Sequence, residues 1–381
     1  MRLTAPNFEQ LERLSGTRDA DLIARRYVDP DRNRGRGAQT NVGSRFDRER
    51  REAVDDGWGM VEDLKPFETI EHIERARTII TRNESPDIGF DRSINAYRGC
   101  EHGCSYCFAR PTHAYLGHSP GLEFERDIYV KTNAVDLLRR ELADRRYKPK
   151  AIAMGTNTDP YQPAERKHKL TRGILELLLE TRHPVTITTK SALVVRDLDI
   201  LKPMAELNLV RVGLSITSMD HKLSRKMEPR ASTPEKRLEA IRLLSEAGVP
   251  TMVMAAPMIP AINDMELERI LDAAAAQGAR EASAILVRLP LEVRDIFREW
   301  LLRHFPDLVS HVMSLIRDAR GGKDNDPNFH TRFVGSGPYA TLIRQRLDMA
   351  RERYGLNKPM PPLRTDLFAP PRVDDGQMSL F

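Results

Sequence analysis

The residues with the clearest chemistry in this sequence are three cysteines that lie close together. Cys100, Cys104 and Cys107 are the only cysteines among 381 residues, and their spacing is C-x3-C-x2-C. Three thiolates on one short loop can bind three irons of a [4Fe-4S] cluster, whereas ligation by cysteine alone needs four. One iron would then stay open to a small molecule. Gly99 and Gly103 let such a loop turn where a Cβ atom would obstruct it.

Two other uses of these cysteines are less compatible with the sequence. A disulfide with one free thiol suits a secreted protein, but no secretory segment opens this chain. A structural zinc site needs a fourth ligand, which His102 or His113 could supply. Because every cysteine falls within eight positions, the iron–sulfur interpretation is favoured.

Short apolar segments alternate with helical segments through the middle of the chain. The predicted strands cover residues 93–97, 151–156, 185–190, 210–217, 251–258 and 283–289, and the predicted helices between them cover 132–147, 171–181, 234–247 and 263–277. This alternation predicts an α/β fold with parallel strands covered by helices. Six such units suit a partial (β/α)6 barrel of the TIM type, in which functional residues gather at the carboxyl ends of the strands.

The barrel is expected to span residues 79–310. Residues 1–78 are predicted to be a polar, partly disordered N-terminal extension, because residues 29–41 are rich in Gly and Arg. That stretch either stays solvated or packs against the barrel. Residues 311–356 are predicted to form a helical C-terminal extension, and residues 357–381 a Pro-rich flexible tail.

The overall composition limits the classes of function. Apolar residues make up 40% of the chain, charged residues 30%, and the net charge is +5. A core can form, but no apolar run is long enough to cross a membrane, so we expect no membrane contact. The mild positive charge is compatible with a polyanionic partner. Because reduced thiolates need a reducing compartment, we expect a cytoplasmic protein.

The cysteine segment resembles the signature of a known superfamily. Its pattern C-x3-C-x-Tyr-C, with Tyr106 before the last cysteine, is similar to that of the radical S-adenosylmethionine (SAM) enzymes. The resemblance implies a [4Fe-4S] cluster on Cys100, Cys104 and Cys107, with SAM chelated by the open iron. It also implies cleavage of SAM to methionine and a 5′-deoxyadenosyl radical.

Further segments resemble the spore photoproduct lyase branch of that superfamily. The similar segments, in the order in which they occur, are residues 188–190, 212–218, 228–229, 237–240, 246–248, 256–259 and 333–339. In that branch, a lysine and a serine at the positions of Lys190 and Ser215 help to hold SAM. Residues 110–117 and 159–162 look closer to an uncharacterised bacterial subfamily.

The loop of residues 155–165, after the second predicted strand, is a further candidate for SAM recognition. Asn157 or Asp159 would recognise the ammonium and ribose of SAM, or these side chains only form turns and cap helices. Lys190 is likewise either a partner for the SAM carboxylate or a member of an internal salt bridge.

The sequence departs from the lyase branch in the residues that return a hydrogen atom. Lyases use an extra cysteine and a tyrosine directly after the last cluster cysteine, and this chain has no further cysteine and has Phe108 there. Tyr106 remains as a candidate catalytic residue. Arg110, His113 and Tyr115 either line the substrate face or pack structurally.

The last residues of the chain resemble a docking peptide. Gln377, Leu380 and Phe381 match the pentapeptide by which bacterial repair proteins bind the DNA sliding clamp. Two apolar anchors on a flexible tether suit such a hydrophobic pocket. The alternative is a tail whose end packs back on its own domain.

These observations lead to one main hypothesis and two rivals. We predict a radical SAM enzyme that acts on a damaged or modified base of DNA, with an electron donor such as flavodoxin or ferredoxin. The first rival performs the same initiation on RNA, a protein or a small metabolite. The second is a clamp-associated iron–sulfur module without catalysis.

Overall fold

The computed structural model describes residues 35–46 and 68–371. Within these ranges the strands are β1 Ile70–Glu74, β2 Ile80–Arg82, β3 Arg92–Ile94, β4 Tyr97–Arg98, β5 Asp127–Lys131, β6 Ile152–Met154, β7 Val185–Thr189, β8 Val210–Ser215, β9 Thr251–Met258 and β10 Glu281–Leu286. The α-helices are α1 Leu122–Arg126, α2 Ala134–Ala143, α3 Glu165–His168, α4 Leu170–Glu180, α5 Leu198–Glu206, α6 His221–Met227, α7 Pro234–Glu246, α8 Leu267–Ala276, α9 Val293–His304, α10 Val309–Asp318, α11 Thr331–Val334 and α12 Gly337–Tyr354. None of these helices combines the length and apolar character that a membrane crossing requires.

The main sheet has the order β10-β9-β8-β7-β6-β3-β2. Strands β3 and β6 to β10 pair in parallel and in chain order, and β2 is antiparallel to β3 at one edge. Helices fill the connections between successive parallel strands. The predicted α/β fold with a partial (β/α)6 barrel is therefore confirmed.

Burial alternates along β7, which distinguishes the two faces of the sheet there. In β7, the side chains of Val185 and Ile187 are buried, whereas Thr186 and Thr188 are only partly buried. The buried set packs with apolar side chains of the covering helices, such as Leu178. Since successive side chains of a strand point to opposite faces, the partly buried set faces the inside of the barrel.

The two edges of the sheet are joined by an ion pair. Arg320 donates hydrogen bonds to the carbonyls of Leu286 and Arg332, which ties α11 to the end of β10. Arg332 in turn pairs with Asp87 in the loop between β2 and β3, with Nη2 and Oδ1 2.6 Å apart. The backbone N–H of His330 also donates to Asp87. This contact closes the side of a barrel that strand pairing leaves open among the described residues.

Parts of the predicted N-terminal extension are folded against the barrel. Strand β1 pairs in parallel with β5 in a second sheet of order β1-β5-β4. Residues 35–46, which we call the strap, run across α1. The backbone N–H groups of Gly37 and Ala38 donate to the carboxylate of Glu125 at 2.9 and 2.8 Å, and that carboxylate also pairs with the buried Arg110 at 2.5 Å. Residues 35–41, the described part of the Gly- and Arg-rich stretch, therefore pack against the barrel rather than staying solvated.

The segment of residues 357–371 differs from the flexible linker that the sequence predicts. The N–H of Arg364 donates to the carbonyl of Asn208, and the N–H of Ala369 donates to that of Thr181. Both acceptors lie just before strands, so the segment crosses the amino ends of β8 and β7. Prolines hold it extended, and the donors between them find these loop carbonyls. Residues 372–381, with the predicted clamp motif, lie outside the described residues.

The Arg110–Glu125 pair gives a testable prediction about the strap. Glu125→Gln keeps the shape of the side chain but leaves the fully buried Arg110 without its counter-ion. We expect the free energy of unfolding to fall by about 3 kcal/mol, because an uncompensated buried charge is costly. Chemical denaturation measures this loss, and limited proteolysis should show faster cleavage within the strap.

The matched control is Glu123→Gln on the same helix. Glu123 is partly exposed and faces His118, so its charge is worth about 1 kcal/mol or less. Equal stability of the two variants would contradict the role assigned to Glu125.

Candidate functional site

The cysteine loop, residues 99–108, follows β4 at the carboxyl end of β3. Its backbone is fixed on two sides, by a hydrogen bond from Cys100 N to Phe124 O of 2.9 Å and one from Ser105 N to Met227 O of 3.1 Å. Gly99 has a φ of +77°, and a Cβ atom there would lie 2.9 Å from Phe124 O. The loop therefore turns at glycine, as the sequence predicts, and all three cysteines are free thiols.

The loop suits a cluster better than a single metal ion. No group of three or more His, Cys, Asp or Glu side chains within the described residues is placed to hold one ion. Thiolates that bind different irons of a cubane need not converge on one point. Burial raises the pKa of the Cys100 and Cys104 thiols, so a positive metal centre is needed to hold them as thiolates. The buried hydroxyl of Ser105 also lacks a partner in the described chain and can serve a cluster sulfur.

The loop after β6 holds the cysteine loop through Gln162. This fully buried amide accepts from the N–H of Glu101 at 3.0 Å and donates to the carbonyl of Gly99 at 3.2 Å. Sequence reasoning did not assign Gln162 a role. The sequence marked it only as part of the segment of residues 159–162. Its neighbours in the sequence do not show which backbone groups the amide will contact.

Asp159 joins the same loop to the end of β7. Its carboxylate accepts from Thr189 Oγ1 at 2.6 Å and from the backbone N–H of Lys190 at 2.7 Å, and it lies 3.3 Å from His102 Nδ1. Burial alone would raise the pKa of Asp159, but His102 and the two donors lower it to about 2. Both oxygens thus already have protein partners. This geometry supports a positioning role rather than the predicted contact with SAM.

Three other predicted SAM-binding residues have side chains that are left free. Asn157 is exposed, and within residues 35–46 and 68–371 only its backbone N–H is bonded, to Asn95 Oδ1 at 3.0 Å. The hydroxyl of Ser215, at the end of β8, makes no hydrogen bond to any described residue. Lys190 Nζ also lacks an acceptor there and lies 5.9 Å from the ring centre of Tyr106. The internal salt bridge considered for Lys190 is absent from the described chain.

The charge of Lys190 is maintained by its surroundings. Burial alone would lower the pKa of its ammonium, but the negative charges of Cys104, when it is a thiolate, and of Glu228 raise that pKa above its ordinary value. A persistent cation without a hydrogen-bond acceptor can bind the carboxylate of a ligand.

A buried network anchors Tyr106, the predicted catalytic residue. Its hydroxyl donates to Glu228, which also accepts from Thr217 Oγ1 at 3.0 Å and pairs with Arg237. Arg237 donates further to the carbonyl of Ser215 at 2.8 Å. Burial raises the pKa of Tyr106, so its phenol stays protonated. The network ties the cysteine loop to β8; a catalytic role for Tyr106 stays a prediction.

Glu228 and Arg237 are central to this network, yet sequence reasoning gave them no role. They lie nine positions apart, and the sequence marked them only as parts of segments that resemble the lyase branch. Their pairing depends on how α6 and α7 approach β8.

The residues after the cysteine loop have structural surroundings. Arg110 is fully buried and donates to Cys104 O at 2.9 Å as well as to Glu125. His113 is buried against the ring of Phe124, and burial lowers its pKa to about 4. Tyr115 is 72% exposed. For Arg110 and His113, packing is therefore the supported alternative.

Comparisons with known sequences agree with this geometry. The model of the radical SAM superfamily matches residues 94–274. An uncharacterised protein of Mycobacterium tuberculosis is 36% identical over 278 residues, which cover 72% of this chain and 78% of that protein. An uncharacterised protein of Methanocaldococcus jannaschii is 34% identical over 173 residues, 45% of this chain and 62% of that protein.

Comparisons with solved structures give the same fold. A spore photoproduct lyase variant superposes with a TM-score of 0.54 at 16% identity, over 76% of this chain and 80% of the lyase. Another lyase structure, with bound AdoMet and dinucleoside spore photoproduct, gives a TM-score of 0.53 at 16% identity, over 74% and 79% of the two chains. The chain therefore belongs to the radical SAM superfamily, whose members use a [4Fe-4S] cluster and SAM, and it shares its fold with spore photoproduct lyase.

Proposed function

We propose that this protein cleaves SAM reductively and uses the resulting radical on a base of DNA. The observation that carries the first part is the set of free side chains beside the cysteine loop. Three neighbouring strands, β6, β7 and β8, carry Asn157, Lys190 and Ser215 at or just after their carboxyl ends. Each of these side chains presents a polar group without a partner among the described residues. Unused polar groups at the carboxyl ends of strands are typical of a ligand site.

The cofactors supply a 5′-deoxyadenosyl radical that takes a hydrogen atom from the substrate, and the protein supplies position and charge. Cys100, Cys104 and Cys107 would hold the cluster. The Lys190 ammonium would bind the SAM carboxylate, while the Ser215 hydroxyl and the Asn157 amide would bind its other polar groups.

The remaining site residues keep these groups in place. Gln162 fixes the backbone of the cysteine loop, and Asp159 fixes the backbone on which Lys190 stands. Glu228 and Arg237 keep Tyr106 and the end of β8 together. A rigid surrounding of this kind helps to hold a reactive radical close to its target.

Two observations support DNA as the substrate. The net charge is +5, which favours a polyanion. A lyase with the same fold is seen with a dinucleoside spore photoproduct bound. The reaction proposed here shares only the initiation with that enzyme. All cysteines lie in the cluster loop, and the exposed Phe108 cannot pass on a hydroxyl hydrogen.

The proposal includes partners that only the sequence suggests. An electron donor such as flavodoxin or ferredoxin would reduce the cluster in the cytoplasm. Gln377, Leu380 and Phe381 would bind the sliding clamp. Because residues 357–371 cross the amino ends of the strands, this motif would start from the side opposite the cysteine loop.

We predict that Cys104→Ala abolishes both the cluster and SAM cleavage, because two thiolates cannot hold three irons. Iron and sulfide content and 5′-deoxyadenosine formation measure the two losses. Tyr115→Phe, at an exposed site downstream, serves as the control and should keep both. Cleavage at the wild-type rate by Cys104→Ala would refute the assignment of this loop.

We predict that Lys190→Met weakens SAM binding about tenfold, through loss of one charge-assisted contact. Titration of SAM into the reduced protein, followed by the EPR signal of the cluster, gives the affinity. Lys202→Met, exposed on α5, should bind like the wild type. An unchanged midpoint for Lys190→Met would mean that this ammonium does not contact SAM.

The DNA part is tested by 5′-deoxyadenosine formation with the anaerobically reconstituted, reduced protein. The arms contain no substrate, undamaged DNA, ultraviolet-irradiated DNA and bulk RNA. We expect irradiated DNA to raise the rate above all other arms. Stimulation by RNA instead would favour the first rival, and a cluster whose EPR signal ignores SAM would favour the non-catalytic module.

A further inference from the structure

Arg288, two residues after the end of β10, has no bonded carboxylate among the described residues. Its Nε is buried without a hydrogen-bond partner, and no other described residue accepts a hydrogen bond from its guanidinium. A half-buried cation of this kind costs folding free energy unless an anion compensates it. Natural proteins keep such a residue where a ligand supplies the missing charge.

The groups that face Arg288 do not neutralise it. Burial, followed by Arg332 and Arg320, lowers the pKa of Arg288 to about 10, while Asp87 and Asp326 raise it. Arg288 therefore stays protonated at neutral pH. Arg320 is committed to four backbone carbonyls, among them Val287 O at 3.0 Å.

Aromatic rings organise the guanidinium groups of Arg288 and Arg332. The Arg288 guanidinium carbon lies 4.7 Å from the ring centre of Phe333, and that of Arg332 lies 4.8 Å from the same ring. Phe329 lies 4.9 Å from the Arg332 guanidinium and is 51% exposed. A guanidinium against an aromatic ring can still donate hydrogen bonds from its edge, which suits a phosphate.

Asp87 occupies only part of this arrangement. Its two oxygens accept from Nε and Nη2 of Arg332 at 2.7 and 2.6 Å, and they form no hydrogen bond to Arg288. The same pair joins the two edges of the open barrel. An anion that replaced Asp87 could contact Arg332 and Arg288 together and release the loop between β2 and β3.

Arg288 lies at the carboxyl ends of the parallel strands, as the cysteine loop does. Val287, directly before Arg288, packs in one apolar cluster with Cys104 and Tyr106. Arg288 therefore directly follows a residue that packs with the cysteine loop.

We propose that Arg288 and Arg332, which both lie against the ring of Phe333, bind a backbone phosphate of a nucleic acid, and that this phosphate replaces Asp87 as the counter-ion of Arg332. The class of ligand rests on the proposed function. The existence of an anion site rests only on the uncompensated charge of Arg288.

The test compares Arg288→Met, Asp87→Asn and the control Arg269→Met, which removes an exposed arginine on α8. Anisotropy of a short fluorescein-labelled single-stranded oligodeoxynucleotide reports binding to each full-length protein at several salt concentrations. We expect Arg288→Met to bind about tenfold more weakly, with the slope of log K against log salt reduced by about 0.7. Asp87→Asn should bind more tightly, since it frees Arg332, and the control should bind like the wild type.

A second readout separates this proposal from the proposed function. Inorganic phosphate should raise the melting temperature of the wild type and not that of Arg288→Met, which by itself should melt no earlier than the wild type. If phosphate acts in this way but no oligonucleotide binds, the anion site stands and the nucleic-acid substrate is wrong. If Arg288→Met and the control bind the oligonucleotide equally, the site is refuted while nucleic-acid binding stands. If neither inorganic phosphate nor the oligonucleotide has an effect on the wild type, both the anion site and the nucleic-acid substrate are refuted.

Discussion

The cysteine loop has to be held through its backbone, because its three thiol side chains must stay free for a cluster. The protein meets this constraint from several directions at once. Carbonyls of α1 and α6 accept from the loop, the Gln162 amide bonds both ways with it, and Arg110 donates to the carbonyl of Cys104. Arg110 is compensated by Glu125, which also binds the strap. Residues far apart in sequence therefore serve one short loop.

Compensated and uncompensated charges separate framework from ligand sites in this protein. Glu228 with Arg237, and Glu125 with Arg110, are buried pairs whose partners are complete within the chain. Removing one member of such a pair would leave a buried charge, so these pairs fix the framework. Lys190 and Arg288 differ, since each is a cation without a bonded anion in the described chain. Our proposals therefore assign an external anion to each of them.

Within the described chain, side chains rather than strand pairing join the two edges of the main sheet. The edges meet through the largely buried Asp87–Arg332 pair rather than through strand hydrogen bonds, and the phosphate that we propose would have to displace Asp87 from it. The strap and residues 357–371 cover other parts of the barrel. The barrel is thus closed by side-chain and loop contacts as well as by strand pairing.

The sequence by itself determined the local features of the protein. The cysteine spacing, the glycines of the loop, the alternation of strands and helices and the polar residues at strand ends all follow from neighbouring positions, so they could be recognised before the fold was known. The partial barrel follows from that alternation, because parallel strands need covering crossovers.

Only the tertiary structure decided which charges meet. Nothing near Asp159 in the sequence shows that its oxygens face His102 and the backbone of Lys190, and nothing near Arg288 shows that Asp87 goes to Arg332 instead. The packing of residues 357–371 was likewise hidden, because its acceptors are loop carbonyls elsewhere in the chain. Periodicity and spacing are local properties. The pairing of buried polar groups depends instead on how distant loops meet at the carboxyl ends of the strands.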